Sequence, residues 1–186
     1  MAFSKTDFPG LLIFEPTVHK DSRGYFFESY NKKHLIAEGL EINFIQDNQS
    51  KSSYGVIRGL HYQLAPHAQT KLIRVLNGKI LDIAVDIRRG SPTYGKVFSQ
   101  ELSAENNKQV FIPRGFAHGF SVLSETAEVL YKCDEFYHKE SEAGILYNDM
   151  ALQIDWQIPA AKAVISEKDI NYPSLLNCKN NFVFEK

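Results

Sequence analysis

The sequence predicts an all-β jelly-roll barrel or sandwich with a few short helices, and its patterning, its helix content and its composition all point that way. Short runs of alternating apolar and polar residues, bounded by Gly, Pro, Asn, Asp and Ser, recur along most of the chain. About ten such runs can be read, a number that suits a jelly roll. Helical periodicity is confined to two brief stretches. With 44% hydrophobic and 23% charged residues among 186, the chain resembles ordinary globular domains, which excludes disordered and fibrous classes. A chain of this length buries roughly 70% of its unfolded surface and needs no disulfide or metal staple.

Residues 11–14 and 25–30 read as the first strands. A helix follows, capped by Asn31, carried by Leu35 and Ile36, and stopped at Gly39. Residues 43–49 and 56–62 resume the strand pattern. The clearest hairpin is 70–87, where Asn77-Gly78 separates two apolar runs and favours a type I′ turn. Beyond it Leu81, Ile83, Val85 and Ile87 share one face, and Asp82, Ala84 and Asp86 the other. Residues 97–102, 109–112, 119–123 and 128–132 are further strands. Ile154, Trp156 and Ile158 alternate as a buried strand, and Ser166 opens a helical turn ending at Ile170. The tail, 177–186, reads as a surface arm. No linker, repeat or low-complexity segment interrupts the chain, so residues 1–186 are expected to form a single domain.

Lys and Arg number 21 against 22 Asp and Glu, a net charge of −1. No basic field exists for nucleic acid and no polybasic run for an anionic membrane, so neither partner is expected. No apolar run reaches the roughly 18 residues of a spanning helix. The start, Met1-Ala2-Phe3-Ser4-Lys5, lacks the apolar core of a signal peptide. Cys133 and Cys178 sit in no metal or redox spacing and read as free buried thiols in a reducing cytosol, which makes the expected location cytoplasmic.

The chemistry begins with absences. There is no Walker-type loop and no Gly-x-Gly-x-x-Gly, so a phosphate-bearing ligand needs side-chain clamps. No Gly-x-Ser-x-Gly elbow offers a hydrolase nucleophile. Lys71 alternates onto the face of Ile73 and Val75, away from Arg74. If that face is the core, the ammonium enters a cavity and needs an anionic partner or loses its proton. If not, its head returns to water. His61, in Arg58-Gly59-Leu60-His61-Tyr62-Gln63, reads by itself as a satisfied structural histidine before it reads as a chemical one. Strict alternation sets Arg58 and His61 on opposite faces, unless a bulge at Gly59 re-aims one of them.

Pro113-Arg114-Gly115-Phe116-Ala117-His118 resembles the second half of the cupin motif. Metal-binding cupins supply His-x-His and a nearby carboxylate in the first half. Here that place reads His61-Tyr62-Gln63, with no Asp or Glu before Lys71. His61 and His118 alone make a poor divalent site, so no metal is expected. The resemblance then becomes specific. Asp21-Ser22-Arg23-Gly24-Tyr25-Phe26, Gln46-Asp47-Asn48, the His61 block, Lys71, the His118 block, Tyr131 and Ser166-Glu167-Lys168-Asp169 occur in the order seen in the dTDP-4-dehydrorhamnose 3,5-epimerase family. The match runs from about residue 10 to about residue 172.

That resemblance implies a cupin-type jelly-roll barrel that inverts C3 and C5 of dTDP-4-keto-6-deoxy-D-glucose on the route to dTDP-L-rhamnose. Both carbons flank the C4 ketone, so each proton leaves to give an enolate. The reaction requires a base, a cation at the enolate oxygen and an acid on the opposite ring face, with no cofactor. Carried over by position, His61 is the base, Asp169 its partner, Lys71 the enolate cation and Tyr131 the acid. His118 contacts the sugar near the ketone. Arg23, Arg58, Gln46, Asn48 and Lys168 match diphosphate and nucleotide contacts, and Glu28 and Glu142 match acidic binding positions. In the family Arg23 and Glu28 reach the neighbouring subunit's site, so a homodimer is implied. Rival expectations are a relative acting at C3 or C5 only or on another nucleotide sugar, a metal-dependent cupin enzyme, and a non-catalytic sugar-binding cupin.

Overall fold

A computed structural model describes residues 2–185. The strands are β1 (Ala2–Lys5), β2 (Leu12–Glu15), β3 (His19–Asp21), β4 (Gly24–Phe26), β5 (Gln46–Ser53), β6 (Val56–Gln63) and β7 (Lys71–Asn77). They continue with β8 (Lys79–Asp86), β9 (Val97–Ser103), β10 (Gln109–Ile112), β11 (Phe116–Val122), β12 (Thr126–Cys133), β13 (Glu142–Gly144) and β14 (Val164–Ile165). Two short α-helices, α1 (Lys32–Ala37) and α2 (Glu167–Ile170), and two 3-10 turns, Lys139–Ser141 and Ala160–Lys162, complete the described residues.

One sheet runs β1-β2-β10-β7-β12-β5 and the other β13-β6-β11-β8-β9, with β14 parallel to β6. Facing each other, they form the expected cupin-like jelly roll. Ile73, Val75, Val110 and Val129 of the first sheet meet Ile80, Ala84, Phe98 and Phe120 of the second in the interior. Each outer face is covered as well. Leu35 of α1 packs on Leu12, Leu72 and Phe111. Trp156, Leu152, Ile145 and Phe182 cover Leu81, Ile83, Val85 and Ile87. Coverage on both faces is why β8 is buried nearly end to end. Both helix starts match the sequence reading, since Asn31 accepts from Lys33 N–H and Ser166 from Asp169 N–H.

Several expectations are corrected. Residues 70–87 are no hairpin, because β7 and β8 lie in different sheets. Gly78, at φ +76°, passes the chain from one sheet to the other, and Asn77 lacks the positive φ of a type I′ turn. A Cβ at Gly78 would sit 2.0 Å from Thr126 O, so close passage of β12 is a second reason for the glycine. The strand expected at 25–30 is only Gly24–Phe26, paired with the unforeseen β3 and exposed. The strand expected at 43–49 is Gln46–Ser53. Trp156 is buried but lies in a loop, its Nε1 donating to Tyr147 O at 2.8 Å. The tail is no free arm. Phe182 is buried against Tyr62, Arg89 bridges to Val183, and Tyr62 Oη donates to Lys179 O. β1, β13 and β14 are additions to the sequence reading. Cys133 is buried, Cys178 is half-buried, and both are free thiols.

Candidate active site

β6 carries the central histidine, and its irregularity aims it. In the register with β11, His61 faces His118 and Arg58 faces Phe120, so β6 has one residue more than its partner there. Gly59 makes this bulge at φ +129°, where a Cβ would lie 2.5 Å from Gly119 Cα. Ile57 and Leu60 therefore both point into the outer cluster. Arg58 and His61 both turn inward, and Arg58 Nε donates to Ser52 Oγ at 3.1 Å. The bulge considered for Gly59 is present.

His61 Nε2 hydrogen-bonds Asp169 Oδ1 at 2.7 Å, and the Gly59 N–H donates to Asp169 Oδ2 at 3.1 Å. α2 brings Asp169 there, with Ser166 capping its first turn. Burial would raise the Asp169 carboxyl, but bonds from His61, Gly59 and Ser166 hold it below its ordinary value.

Lys71 lies on the interior face beside Ile73 and Val75, which answers the question alternation left open. Burial lowers its pKa, opposed by Cys133, Asp82 and Glu142. Its Nζ stands 5.8 Å from the Tyr131 ring centroid. Burial raises the Tyr131 phenol, aided by Cys133 and opposed by Arg58. His118, also buried, pairs Nε2 with Asp82 Oδ2 at 2.8 Å. Burial pushes the His118 imidazole down, and Asp82 resists while Lys71 and His61 add to the fall.

His61, Lys71, Tyr131, Gln46, Asn48 and Glu142 line one cavity of about 170 Å³. A second cleft of about 440 Å³ is lined by Arg58, Lys168, Asp169 and again His61. A Glu142–Lys168 ion pair joins residues of the two. Three expected residues line neither: His118 is buried on Asp82, and Arg23 and Glu28 lie elsewhere. Arg23 sits on the exposed β3–β4 turn, its side chain 88% exposed and bound to Asp21. Glu28 pairs with His34 at 3.3 Å and Asn31 at 3.1 Å.

Asp82 was absent from the sequence-derived site. Its signal was a carboxylate set between Ile80 and Ala84 on the inward face of an apolar strand. Tyr137, which also lines the cavity and donates to Glu142 at 3.1 Å, carried no such signal. Among the described residues, no group of three or more His, Cys, Asp and Glu could hold a metal ion. No helix among them is long and apolar enough to cross a membrane.

The family model described as dTDP-4-dehydrorhamnose 3,5-epimerase matches residues 5–177. The dTDP-4-dehydrorhamnose 3,5-epimerase of Shigella flexneri is 54% identical over 168 residues, covering 90% of this chain and 92% of its own. A crystal structure of the Elizabethkingia anophelis enzyme of that name superposes with TM-score 0.90 at 56% identity, covering 94% of this chain and 96% of its own. The Legionella pneumophila dTDP-6-deoxy-D-glucose-3,5-epimerase, solved with dTDP-4-keto-L-rhamnose, gives TM-score 0.90 at 45% identity over 95% of this chain and 93% of its own.

Proposed function

This chain belongs to the dTDP-4-dehydrorhamnose 3,5-epimerase family, and we propose that His61, Asp169, Lys71 and Tyr131 carry out its inversion of C3 and C5 in dTDP-4-keto-6-deoxy-D-glucose. The product is dTDP-4-keto-L-rhamnose, in dTDP-rhamnose biosynthesis. One observation carries the assignment of roles. His61 comes from β6 and Tyr131 from β12, on facing sheets, with Lys71 between β10 and β12. A sugar held between the sheets has a base on one side and an acid on the other.

With Nε2–H donating to Asp169, the lone pair of neutral His61 is on Nδ1. Nδ1 takes the proton from the carbon beside the ketone, and the bonding electrons move onto the C4 oxygen as an enolate. The Lys71 ammonium stabilises that oxygen. The phenol of Tyr131, kept protonated by burial, gives its proton to the opposite face of the same carbon. Imidazolium and phenolate then return to their starting forms by exchange with water, and the other carbon follows. His118, held by Asp82, contacts the sugar near the ketone.

Arg58, Lys168, Gln46 and Asn48 serve as contacts to the nucleotide and its diphosphate, and Glu142 is an acidic binding position beside them. Guanidinium forks suit phosphate and replace a glycine-rich loop. Lys168 is available to phosphate once it releases Glu142. Arg23 and Glu28 act in the cavity of a partner subunit, which makes the enzyme a homodimer. The exposed β3–β4 hairpin, with Tyr25 62% and Phe26 70% exposed, supports that reading. The whole chain acts as one epimerase domain, and its free cysteines suit a cytoplasmic location.

The test is to incubate the protein with dTDP-4-keto-6-deoxy-D-glucose in D₂O and follow the sugar by NMR. Deuterium is expected at both C3 and C5 with inversion at each. Label at one carbon makes it a mono-epimerase, and label at neither refutes the assignment.

A further inference from the structure

His61 is constrained from more than one direction. Asp169 holds Nε2, but one hydrogen bond leaves the imidazole plane free to rock about its Cβ–Cγ bond. The second constraint comes from Tyr172, three residues after Asp169 and just past the end of α2. Its ring centroid is 5.7 Å from that of His61, with the planes inclined at 63°.

The backbone leaves room for this contact. In β13, Gly144 stands directly opposite His61 in the strand register. A Cβ at Gly144 would lie 2.5 Å from Tyr172 Cε2 and 2.6 Å from both Cδ2 and Cζ. The tyrosine ring occupies the space a side chain would take, beside the strand position that faces the imidazole. Leu146 N–H donates to Pro173 O at 2.9 Å and ties the residue after Tyr172 to the same segment. The Tyr172 hydroxyl is shut away from solvent near Lys168, while its ring is the part that meets the imidazole and fills the space over Gly144.

We propose that Tyr172 is a positioning residue for His61, its ring seated on Gly144 and wedged against the imidazole so that Nδ1 keeps a fixed direction into the cavity. This rests on the assignment of His61 as the base. α2 and its exit thus supply both constraints on one side chain, a carboxylate at the ring edge and an aromatic wall beside the ring.

The test compares Tyr172→Leu, Tyr172→Phe and Gly144→Ala, each with a thermal melt. For Tyr172→Leu, kcat and the rate of solvent deuterium entry at the substrate are expected to fall together, about tenfold to a hundredfold, with KM within about twofold of wild type. Tyr172→Phe keeps the ring and restores turnover. Gly144→Ala, which drives a methyl into the ring's place, repeats the Leu pattern and covers the case in which Tyr172→Leu does not fold. Crystal structures of the variants report independently of turnover. In Tyr172→Leu the His61–Asp169 contact is expected to lengthen past hydrogen-bonding range or to split between rotamers. Equal losses in Tyr172→Phe and Tyr172→Leu, or an unmoved imidazole with wild-type kcat, overturn the proposal. If wild-type enzyme admits no deuterium, the reading of His61 as base fails, and the position of the imidazole in the variant crystals still judges Tyr172.

Discussion

Burial acts in opposite directions on the phenol and the ammonium of this cavity. It raises the Tyr131 phenol, so the group is a proton donor at neutral pH. It lowers the Lys71 ammonium, and nearby Cys133, Asp82 and Glu142 pull that value back up. The sequence marks Asp82 as an odd carboxylate but conceals its partner. An isolated carboxylate in an apolar run does not reveal whether it will meet His118, 36 residues away. His61, Lys71 and Tyr131 were legible because a family pattern named them together; alternation alone left the face of Lys71 open, and the bulge at Gly59 upsets it at His61. The division of labour between base and acid has a direct test. Tyr131→Phe keeps the ring and removes the donor, so the enolate still forms beside Lys71. This variant is expected to exchange substrate protons for deuterium while inverting little or no sugar. Inversion at the wild-type rate would remove Tyr131 from the acid's role. Absence of exchange in a variant that still binds dTDP would mean that the phenol is needed for enolate formation.

Elements were readable in proportion to their apolar patterning. β12 alternates clearly, β8 and β10 are short apolar runs covered on both faces, and the positions of all three match the sequence reading closely. β5 lacks both signals, because its inward positions, Gln46, Asn48, Ser50 and Ser52, are polar. Two of them line the cavity, so the requirement of the site erased the signal of the strand. The supposed hairpin at Gly78 failed for another reason. Short-range turn chemistry describes a reversal well, but it cannot distinguish pairing within a sheet from passage between sheets. The connection after β8 is held differently. Asp86 is fully buried and bonds Arg88, Ser91 and Thr93. Burial would raise its carboxyl, and those donors hold it below the ordinary value. A depressed folded value stabilises the protein above the unfolded pKa of about 3.9, and the contribution is lost as pH falls through the folded one. Asp86→Asn should cost about 3–5 kcal/mol at neutral pH, because it leaves Arg88 nearly buried and unpaired. Its Tm should also fall less steeply than that of wild type below about pH 4. A variant with the wild-type Tm at pH 7, or the wild-type acid slope, would show that Asp86 does not act this way.

At the scale of the whole molecule, the chain builds a barrel with both outer faces covered, α1 on one and residues 145–182 on the other. That layering explains why the tail, read as an arm from its mixed composition, is docked. Tertiary partners supply its order, and no local pattern announces them. The arrangement leaves the β3–β4 hairpin with Arg23 outside, exposed beside Tyr25 and Phe26. On the proposed homodimer this hairpin serves the neighbouring cavity, and the symmetry makes a quantitative prediction. A site then takes His61 from one subunit and Arg23 from the other. Arg23→Ala and His61→Ala are each expected to lose most turnover. When the two variants are co-expressed with different tags, half of randomly assorted dimers are mixed, and each mixed dimer holds one intact site and one carrying both defects. Activity should therefore return to about a quarter of the wild-type level in the mixture and about half in purified mixed dimers. If Arg23 serves its own subunit, every site keeps one defect, and neither the mixture nor the purified mixed dimers exceed the better of the two parents. Recovery separates the arrangements even if Arg23→Ala weakens dTDP binding more than turnover, because only an exchanged arginine can restore a site that already holds His61.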